Sequence, residues 1–253
     1  MANSAYRAEK KYCEIICIQC ILLNMANTFP VTRISPWINI DLSYWDDLTR
    51  NRLPRLFRKK TFLYHQNEMP DGVYIIKSGR VRITSYRSGG EEKQLYIAEQ
   101  GAMCGEFACI QNHPHDTSAV AIVDSMVYFI PYHVLEEHMR RNWSIAQKIM
   151  RLVCRKSSIF VSQILELSFY QSLQRIARIL LDIAAQYGRA QADGSVLISI
   201  KFTHQDIASM INTSRVTTSN IFNDFLEKGI IGRKDGHYIL RDTEELERLL
   251  SEY

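Results

Sequence analysis

The segment TSRVTTSNIF, residues 213–222, carries side chains suited to contacting a polyanion and poorly suited to a stable helix. It contains three Thr, two Ser, a Val and an Asn, all weak helix formers, between stretches whose apolar residues recur at helical spacing. Hydroxyl and amide groups can approach phosphates and base edges, Arg can bind guanine or phosphate, and Val can contact the methyl group of thymine. An ordinary solvated helix would instead carry Glu, Lys and Gln, so the composition favours contact with DNA.

The residues around this segment predict two helices separated by a short turn. Thr203 can cap the first helix, with Asp206 three residues later. Asn212 can end that helix because Asn tolerates the left-handed conformation, and Ser214 can then cap the second helix. This is the pattern of a helix-turn-helix motif, whose second helix enters the major groove of DNA.

The two faces of this motif carry different residues. The predicted inward face is apolar apart from one Thr and consists of Ile207, Ala208, Ile211, Thr218, Ile221, Phe222 and Phe225. The predicted outward face of the second helix consists of Arg215, Val216, Ser219, Asn220 and Asn223. With the capping residues included, the candidate DNA-contacting residues are Thr203, Ser214, Arg215, Val216, Thr217, Ser219 and Asn220.

From Leu56 to Tyr132 the sequence predicts β-strands. GVYIIKSGRVRITSY, KQLYIAEQG and TSAVAIVDSMVYFI alternate apolar and polar residues, with turn signals such as Asp71-Gly72 and Ser78-Gly79 between them. Strands at this spacing favour a small barrel or roll over a βαβ fold. The interior of such a roll can hold one small ligand.

A long helix is predicted after these strands. Its apolar seam is spaced alternately four and three residues apart and consists of Ala146, Met150, Val153, Ser157, Phe160, Ile164 and Leu167. Polar residues predicted to flank the seam are Arg151, Arg155, Lys156 and Gln163. A core helix is the alternative, but a narrow seam with polar flanks favours pairing with a second copy of the chain. We therefore expect a homodimer, with a hinge at Ser168 or Phe169.

The composition of the 253 residues narrows the class of protein. No apolar run reaches the roughly 18 residues that a membrane span needs, so no membrane partner is predicted. The net charge of +4 is compatible with a polyanion partner without requiring one. The six cysteines form no disulfide framework, which favours a cytoplasmic protein. Cys104, Cys109 and Cys154 are interpreted as buried small hydrophobic residues.

Three segments together resemble a known family. FTHQDIASMINTSRVTTSNIFNDFLEKGII looks like the winged-helix motif of the CRP/FNR family of bacterial transcription regulators. MPDGVYIIKSGRVRIT and GEFACI resemble the cyclic-nucleotide-binding-like sensor domain of that family. The resemblance covers roughly residues 45–241 and includes the order of the parts. It implies an α+β fold with an N-terminal double-stranded β-roll, a long dimerisation helix and a C-terminal winged helix-turn-helix.

The resemblance also implies how the parts work together. Residues 1–30 would form an N-terminal extension, 31–140 the effector-sensing β-roll, 141–168 the dimerisation helix and hinge, and 169–253 the winged-helix DNA-binding domain. The protein would be a homodimer without catalytic activity, in which an effector in the roll repositions the two winged helices on double-stranded DNA. RNA polymerase would be a further partner.

The sensor departs from the cyclic-AMP-binding members at one position. Those members carry Gly-Glu and, about ten residues later, an Arg followed by Ser or Thr. Gly105 and Glu106 are present here, but Thr117 stands where the Arg is expected, followed by Ser118. Because a cyclic phosphate would lose its bidentate partner, the sequence argues against cyclic AMP.

A small organic effector is therefore expected. The candidate effector-binding residues supply aromatic rings and hydroxyl groups or stand at the Gly-Glu and Thr-Ser positions just described. They are Tyr74, Tyr86, Tyr96, Gly105, Glu106, Phe107, Thr117 and Ser118. The halogenated-phenol-sensing members of the family have similar length, lack the Arg that cyclic-AMP-binding members carry at the position of Thr117, and have Val in the recognition helix. The chain resembles them in these three respects.

Two alternatives stay open. Oxygen-sensing relatives hold an iron–sulfur cluster, and Cys13, Cys17 and Cys20 supply three thiols, although Tyr128 stands where the fourth ligand is expected. The alternative function is therefore redox or oxygen sensing through the N-terminal cysteines, with Cys104 and Cys109 as substitute ligands. A cupin-like enzyme is disfavoured because no Glu follows the histidines at 113 and 115 at metal-ligand spacing.

The recognition helix predicts an AT-rich palindrome of the TTAAT half-site type, with the halves one helical turn apart. Many family members have Glu where Val216 stands and Arg where Asn220 stands, and both contact G·C pairs. Selection of bound sequences from random DNA should return AT-rich half-sites for the wild type. Val216→Glu should introduce a preference for one G·C pair worth about 1–3 kcal/mol. Wild-type selection of TGTGA half-sites would contradict the prediction.

Overall fold

The computed structural model describes residues 34–251. The predictions for the N-terminal extension and for Cys13, Cys17 and Cys20 lie outside these residues. Nine strands form the N-terminal part: β1 Trp37–Ile38, β2 Arg55–Phe57, β3 Phe62–Tyr64, β4 Gly72–Ser78, β5 Val81–Tyr86, β6 Glu92–Ala98, β7 Met103–Cys104, β8 Ser118–Ala121 and β9 Ser125–Pro131. They belong to a five-stranded sheet, ordered β1-β6-β5-β8-β3, and a four-stranded sheet, ordered β2-β9-β4-β7.

The two sheets pack face to face as the predicted roll. All strand pairs in these two sheets are antiparallel except β1 with β6. The long pair β4–β9 begins with Gly72 opposite Pro131, and its register shifts between Ile76 and Ser78. Alternate residues such as Val73, Ile75 and Ile83 point into a common apolar core, as the period of two in the sequence indicates. The N-terminal β-roll of the predicted fold is thus present.

Short helices surround the roll and one long helix leaves it. A 3-10 helix, Leu42–Trp45, precedes α1 Asp46–Thr49, and α2 Glu106–Gln111 follows β7. After β9 the chain forms α3 Tyr132–Arg141 and α4 Trp143–Phe169. Helix α4 is 27 residues long and starts at Asn142, whose side chain accepts a hydrogen bond from the Ser144 backbone N–H.

Helix α4 has two apolar faces rather than one. The face packed on the roll consists of Ile145, Ile149, Leu152, Lys156, Ile159 and Ser162. The opposite face, which we call the α4 stripe, is exposed and consists of Trp143, Met150, Cys154, Ser157, Val161 and Ile164. Along the stripe the spacing is seven, four, three, four and three, a heptad pattern.

The predicted seam was therefore right in part. Met150, Ser157 and Ile164 lie on the α4 stripe, but Val153 and Phe160 turn toward the roll and are half-buried. The sequence seam ran between the two faces because both are apolar, and spacing alone does not show which apolar side of a helix packs on the rest of the chain.

Two single-residue interpretations on α4 were wrong. Cys154 was interpreted as buried and is exposed. Lys156 was interpreted as a polar flank and is fully buried, because its ammonium group meets an acidic partner inside the roll.

The C-terminal part is a winged helix-turn-helix. Helix α5 Ser172–Tyr187 follows an extended break at Tyr170, and α6 His204–Ile211 and α7 Arg215–Glu227 form the helix pair. Strands β10 Gly188–Ala190, β11 Val196–Ile198, β12 Ile231–Lys234 and β13 His237–Leu240 form a four-stranded sheet ordered β10-β11-β13-β12, and α8 Thr243–Ser251 follows. The β12–β13 hairpin is the wing. None of the helices within residues 34–251 is long and apolar enough to cross a membrane.

Candidate nucleic-acid interface and effector pocket

The helix-turn-helix is held by the caps that the sequence predicts. The Thr203 backbone N–H donates to the Asp206 carboxylate at 2.8 Å, and the Asp206 N–H donates to the Thr203 hydroxyl at 3.1 Å. Asn212 adopts the left-handed conformation with φ of 56°. The Ser214 hydroxyl accepts from the Thr217 N–H at 2.9 Å. These bonds fix where α7 begins and therefore which of its residues face outward.

The inward face of the motif is buried as predicted. Phe222 and Phe225 of α7 are almost fully inaccessible and pack with Ile207 and Ile211 of α6. Thr218 is buried, and its hydroxyl is not left unpaired because it donates a hydrogen bond to the Ser214 carbonyl at 3.0 Å. The remaining face of α7 is thus left to the solvent.

The outward face carries the candidate DNA-contacting residues at the start of α7. Ser214, Arg215, Val216 and Asn220 are exposed, and 69% of the apolar side chain of Val216 is accessible. Thr217 is half-buried. A short, apolar, exposed side chain beside Arg and Asn fits base edges that include a thymine methyl.

A hydrogen-bond chain that the sequence did not reveal joins α6, α7 and the wing. His204 Nδ1 lies 2.8 Å from the Ser219 hydroxyl, and His204 Nε2 lies 2.8 Å from the Tyr238 hydroxyl. Arg233 of the wing donates to that tyrosine at 2.5 Å and lies over its ring. Ser219, predicted as a DNA contact, therefore positions the wing as well. In the sequence, the one signal for this role was the 15-residue spacing between Ser219 and His204, which lie on two different helices.

The second site is a pocket inside the roll, which we call the roll pocket. Its volume is about 170 Å³. Its lining is mostly aromatic and apolar, with two carboxylates, and includes Tyr64, Leu95, Tyr96, Glu106, Phe107, His115, Asp116, Thr117 and Phe160. His115 stacks on Tyr64, with ring centroids 3.9 Å apart, and Phe160 reaches in from α4. The walls therefore come from the roll and from α4.

One lining residue of the roll pocket, Glu106, belongs to a buried ion pair. Lys156 of α4 donates to Glu106 at 2.5 Å and to the Met103 carbonyl at 2.8 Å, and both charged side chains are inaccessible. The ammonium also lies 5.0 Å from the centroid of the Tyr96 ring and 5.3 Å from that of Phe107. The second carboxylate oxygen of Glu106, Oε2, is buried and has no hydrogen-bond partner among the described residues.

Gly105 makes this arrangement possible. Its φ of 90° turns the chain from β7 into α2 and places Glu106 at the start of that helix, where the positive end of the helix dipole favours a carboxylate. A Cβ at position 105 would lie 3.3 Å from the Gly72 carbonyl oxygen, so the backbone conformation and the space both favour glycine.

Two sequence profiles match the chain. The profile of the cyclic nucleotide-binding domain matches residues 54–142, and that of the Crp-like helix-turn-helix domain matches residues 174–249. The chain belongs to the CRP/FNR family of transcription regulators. The first segment contains the described lining residues of the roll pocket except Phe160, and the second contains the outward face of α7.

Curated relatives and solved structures agree. The chain is 26% identical to the CRP-like cAMP-activated global transcriptional regulator of Mycobacterium tuberculosis over 79% of this chain and 89% of that protein. It is 25% identical to the anaerobic regulatory protein of Bacillus subtilis over 76% and 81%. The fold is similar to a CooA mutant from Carboxydothermus hydrogenoformans (TM-score 0.71, 20% identity, 84% and 97% covered) and to CprK complexed with OCPA (0.67, 20%, 85% and 97%).

The roll pocket of this CRP/FNR protein brings together five of the eight predicted effector-binding residues: Tyr96, Gly105, Glu106, Phe107 and Thr117. No arginine is among the described residues that line it. Thr117 forms a side-chain hydrogen bond with Tyr64 instead, at the position where cyclic-AMP-binding members carry Arg.

The other three predicted residues lie elsewhere. Tyr74 packs between Tyr64 and Phe129 at the four-stranded sheet and does not line the pocket. The Ser118 hydroxyl accepts a hydrogen bond from the Gln66 backbone N–H at 2.9 Å and so contacts the backbone rather than the pocket. A β-bulge after Ile83 shifts the register of β5, and Tyr86 faces a groove outside the roll.

Sequence reasoning missed the residues that reach the roll pocket from a distance. Tyr64 and His115 come from β3 and from the loop before β8, and Lys156, which pairs with the lining residue Glu106, comes from α4. Burial lowers the pKa of His115, so the pocket presents a neutral imidazole near neutral pH. A Lys in the middle of an apolar helix was the one available signal for the ion pair.

The substitute cluster ligands are poorly suited to iron. Burial raises the pKa of Cys104 to about 12 and that of Cys109 to about 12, which disfavours the thiolate that binds metal. Within residues 34–251, no three His, Cys, Asp or Glu side chains are placed to hold a metal ion.

The His204 chain generates a pH prediction. Burial, together with the guanidinium groups of Arg233 and Arg215, lowers the pKa of His204 below 6.5. The unfolded chain therefore binds a proton more readily than the folded chain, and this histidine costs stability as the pH falls below about 6.5. Urea unfolding at pH 7.5 and 5.5 should show a smaller loss of unfolding free energy for His204→Gln than for the wild type. His237→Gln, at a half-buried wing position outside the His204 chain, is the control and should lose as much unfolding free energy as the wild type.

Proposed function

We propose that the chain is a homodimeric regulator that binds an AT-rich palindrome and whose affinity for DNA is controlled by a small organic effector in the roll pocket. The observation that carries the proposal is helix α4, which contributes Lys156 and Phe160 to the roll and presents the α4 stripe on its other side. An effector in the pocket therefore touches the element on which the two copies would pair. RNA polymerase as a further partner and a cytoplasmic location follow from the family.

The roll pocket supports a neutral aromatic effector with a hydroxyl group. Its volume of about 170 Å³ is below the roughly 300–1,000 Å³ of pockets for drug-sized ligands and suits a single substituted ring. Tyr64, Tyr96 and Phe107 offer ring faces and edges to such a molecule. Glu106 Oε2, buried without a partner, can accept a hydrogen bond from a phenolic hydroxyl. A cyclic phosphate would find no arginine among the described lining residues to pair with it.

The ion pair supports the coupling between effector and dimer. A buried Lys–Glu pair is held by geometry as much as by charge, since removing one partner leaves an uncompensated charge that costs about 3–5 kcal/mol. An effector that bonds Glu106 changes the position or the strength of this pair. Because Lys156 is one of the residues that seat α4 on the roll, the change passes to α4 and from there to α5 and the reading helices.

The α4 stripe supports a parallel two-helix contact. Its heptad places Trp143, Met150, Ser157 and Ile164 in one set of layers and Cys154 and Val161 in the other. Met150, Val161 and Ile164 are each about half accessible or more, so the described chain leaves an apolar seam uncovered. A second copy covers it with the same residues, as two-fold symmetry requires.

The dimer predicts a cross-link at Cys154. In a parallel pair with two-fold symmetry, equivalent core residues face one another, so copper-phenanthroline oxidation should join two copies through Cys154. The measurement is a non-reducing gel on protein with Cys13, Cys17 and Cys20 replaced by Ser. The control variant carries Cys154→Ser and Arg140→Cys. These substitutions move the thiol to α3, to a position that is also exposed but lies away from the α4 stripe. Equal dimer yield from the control would contradict the α4 contact.

The roll pocket predicts the ligand class. In a thermal-shift screen, small phenols should raise the melting temperature of the wild type, and cyclic AMP and cyclic GMP should not. A ligand at 100 times its dissociation constant adds about 2.7 kcal/mol to the folded state. Thr117→Leu, which narrows the pocket at a half-buried wall, should abolish the shift.

The control for that screen is Ser118→Ala, at the neighbouring residue outside the pocket, which should keep the shift. DNA affinity, measured by fluorescence anisotropy with an AT-rich palindrome, should change on adding the same phenol. Stabilisation by a cyclic nucleotide, or a phenol shift that survives Thr117→Leu, would contradict the assignment of the effector site.

A further inference from the structure

A second and larger concavity lies outside the roll, between the five-stranded sheet and the helix-turn-helix. We call it the interdomain groove. Its volume is about 820 Å³, within the range of small-molecule sites, and such sites occur preferentially between domains. One wall is the outer surface of the sheet, where Arg82 stands in register with Ile97 and Val120 on the adjacent strands. The other wall is α6 and the residues 200–203 before it. The groove and the roll pocket share no lining residue.

The charges of the interdomain groove are unbalanced. Four basic residues at the groove make no ion pair with a described residue: Lys59, Lys60, Arg80 and Lys201. The acidic residue among its lining is Asp206, which lies 3.4 Å from Arg82. Arg82 also meets Glu92 at 3.0 Å. The local field therefore favours an anion.

Two buried donors at the groove have no acceptor. The indole Nε1 of Trp37 and the amide Nε2 of Gln94 are inaccessible and have no hydrogen-bond partner among the described residues. Trp37 is 2% exposed and Gln94 3%, so bulk water does not satisfy them in this arrangement. Buried donors are paired in the great majority of native structures, because an unpaired one costs about 1–3 kcal/mol. Both side chains line the groove, and a small movement of its walls would let acceptor oxygens of a ligand reach the two donors.

The surface between the charges suits a flat ring. Phe62 and Tyr86 from the sheet and Phe202 from the opposite wall line the groove beside aliphatic side chains. Phe202 is held by stacking on Tyr238, with centroids 5.1 Å apart. An occupant therefore meets aromatic surface on both walls and cations at the rim.

We propose that the interdomain groove binds a planar organic anion, an aromatic or heterocyclic ring bearing a carboxylate or phosphate group, at a site distinct from the roll pocket. The anionic group lies among Lys59, Arg80 and Lys201, and its acceptor oxygens satisfy Trp37 Nε1 and Gln94 Nε2. Because the walls come from the roll and from the helix-turn-helix, the ligand stabilises the arrangement in which these two parts are in contact.

The test is a fluorescence titration of the full chain with 1-anilinonaphthalene-8-sulfonate, a planar aromatic anion, at low ionic strength. Lys59→Gln on one wall and Lys201→Gln on the other should each weaken binding by about two- to fivefold. Trp37→Phe keeps the ring against Tyr187 and removes the donor, and should weaken binding about tenfold or more. Lys77→Gln removes a charge from an exposed site of the roll outside the groove and should leave binding unchanged.

Displacement of the probe distinguishes the two ligand sources. Adenosine 5′-monophosphate tests a phosphorylated base, and 2-naphthoate tests an aryl carboxylate; displacement by either one supports the site and names its class, and displacement by neither overturns it.

Three other results would overturn the proposal. Binding that depends on Lys59 and not on Lys201 would show that the probe does not span the two walls. Loss of binding in Thr117→Leu would place the probe in the roll pocket. If the lysine substitutions weaken DNA binding and leave probe binding unchanged, the groove cations belong to the DNA interface. The proposed effector site would be untouched by any of these outcomes, because its ligand screen uses different residues.

Discussion

The contact between Glu106 and Lys156 is the constraint on which the rest of the sensor depends. Two charges that are fully inaccessible cannot return to water without opening the roll, and each is costly to bury alone. The pair therefore holds α4 at one position against α2, with the Met103 carbonyl as a third member. A hydrophobic pair of the same volume would pack as well and would leave the helix freer to slide. Specific placement of α4, more than stability, is what this contact supplies.

The position of α4 matters because one side of the helix belongs to the roll and the other side is the exposed α4 stripe. Its roll-facing side completes the core around Ile149 and Leu152 and lends Phe160 to the roll pocket, while its other side is the α4 stripe. The chain then leaves α4 at Phe169 and enters α5, which packs with α6, α7 and the wing in a second core. Under the proposed function, a displacement at Glu106 would reach α7 through α4 and its chain connection to α5.

The reading helix was predictable in detail because its signals are local. Thr203, Asn212 and Ser214 act within three or four residues of themselves, through caps and a left-handed turn that a short window of sequence contains. The period of the apolar residues then decided which side chains of α7 face out. The β-roll was predictable as a class for the same reason, from alternation and turn residues. The lining of the roll pocket was predicted less well. Five of the eight candidate residues line it, and the positions of the other three, Tyr74, Tyr86 and Ser118, depend on a bulge and on which strand neighbours pair.

The sequence by itself determined the order of the parts, the start of each helix in the reading motif and the exposure of Val216, because neighbouring backbone groups and side chains decide these. Tertiary structure alone decided that Lys156 is a core residue, that Cys154 and Val161 lie on the outer stripe while Phe160 does not, and that His204 joins Ser219 to the wing. Lys156 lies 50 residues from its partner Glu106 in the chain, and His204 lies 15 residues from Ser219. Periodicity states only that a helix has an apolar side, and where two sides are apolar, the packing of distant segments chooses between them.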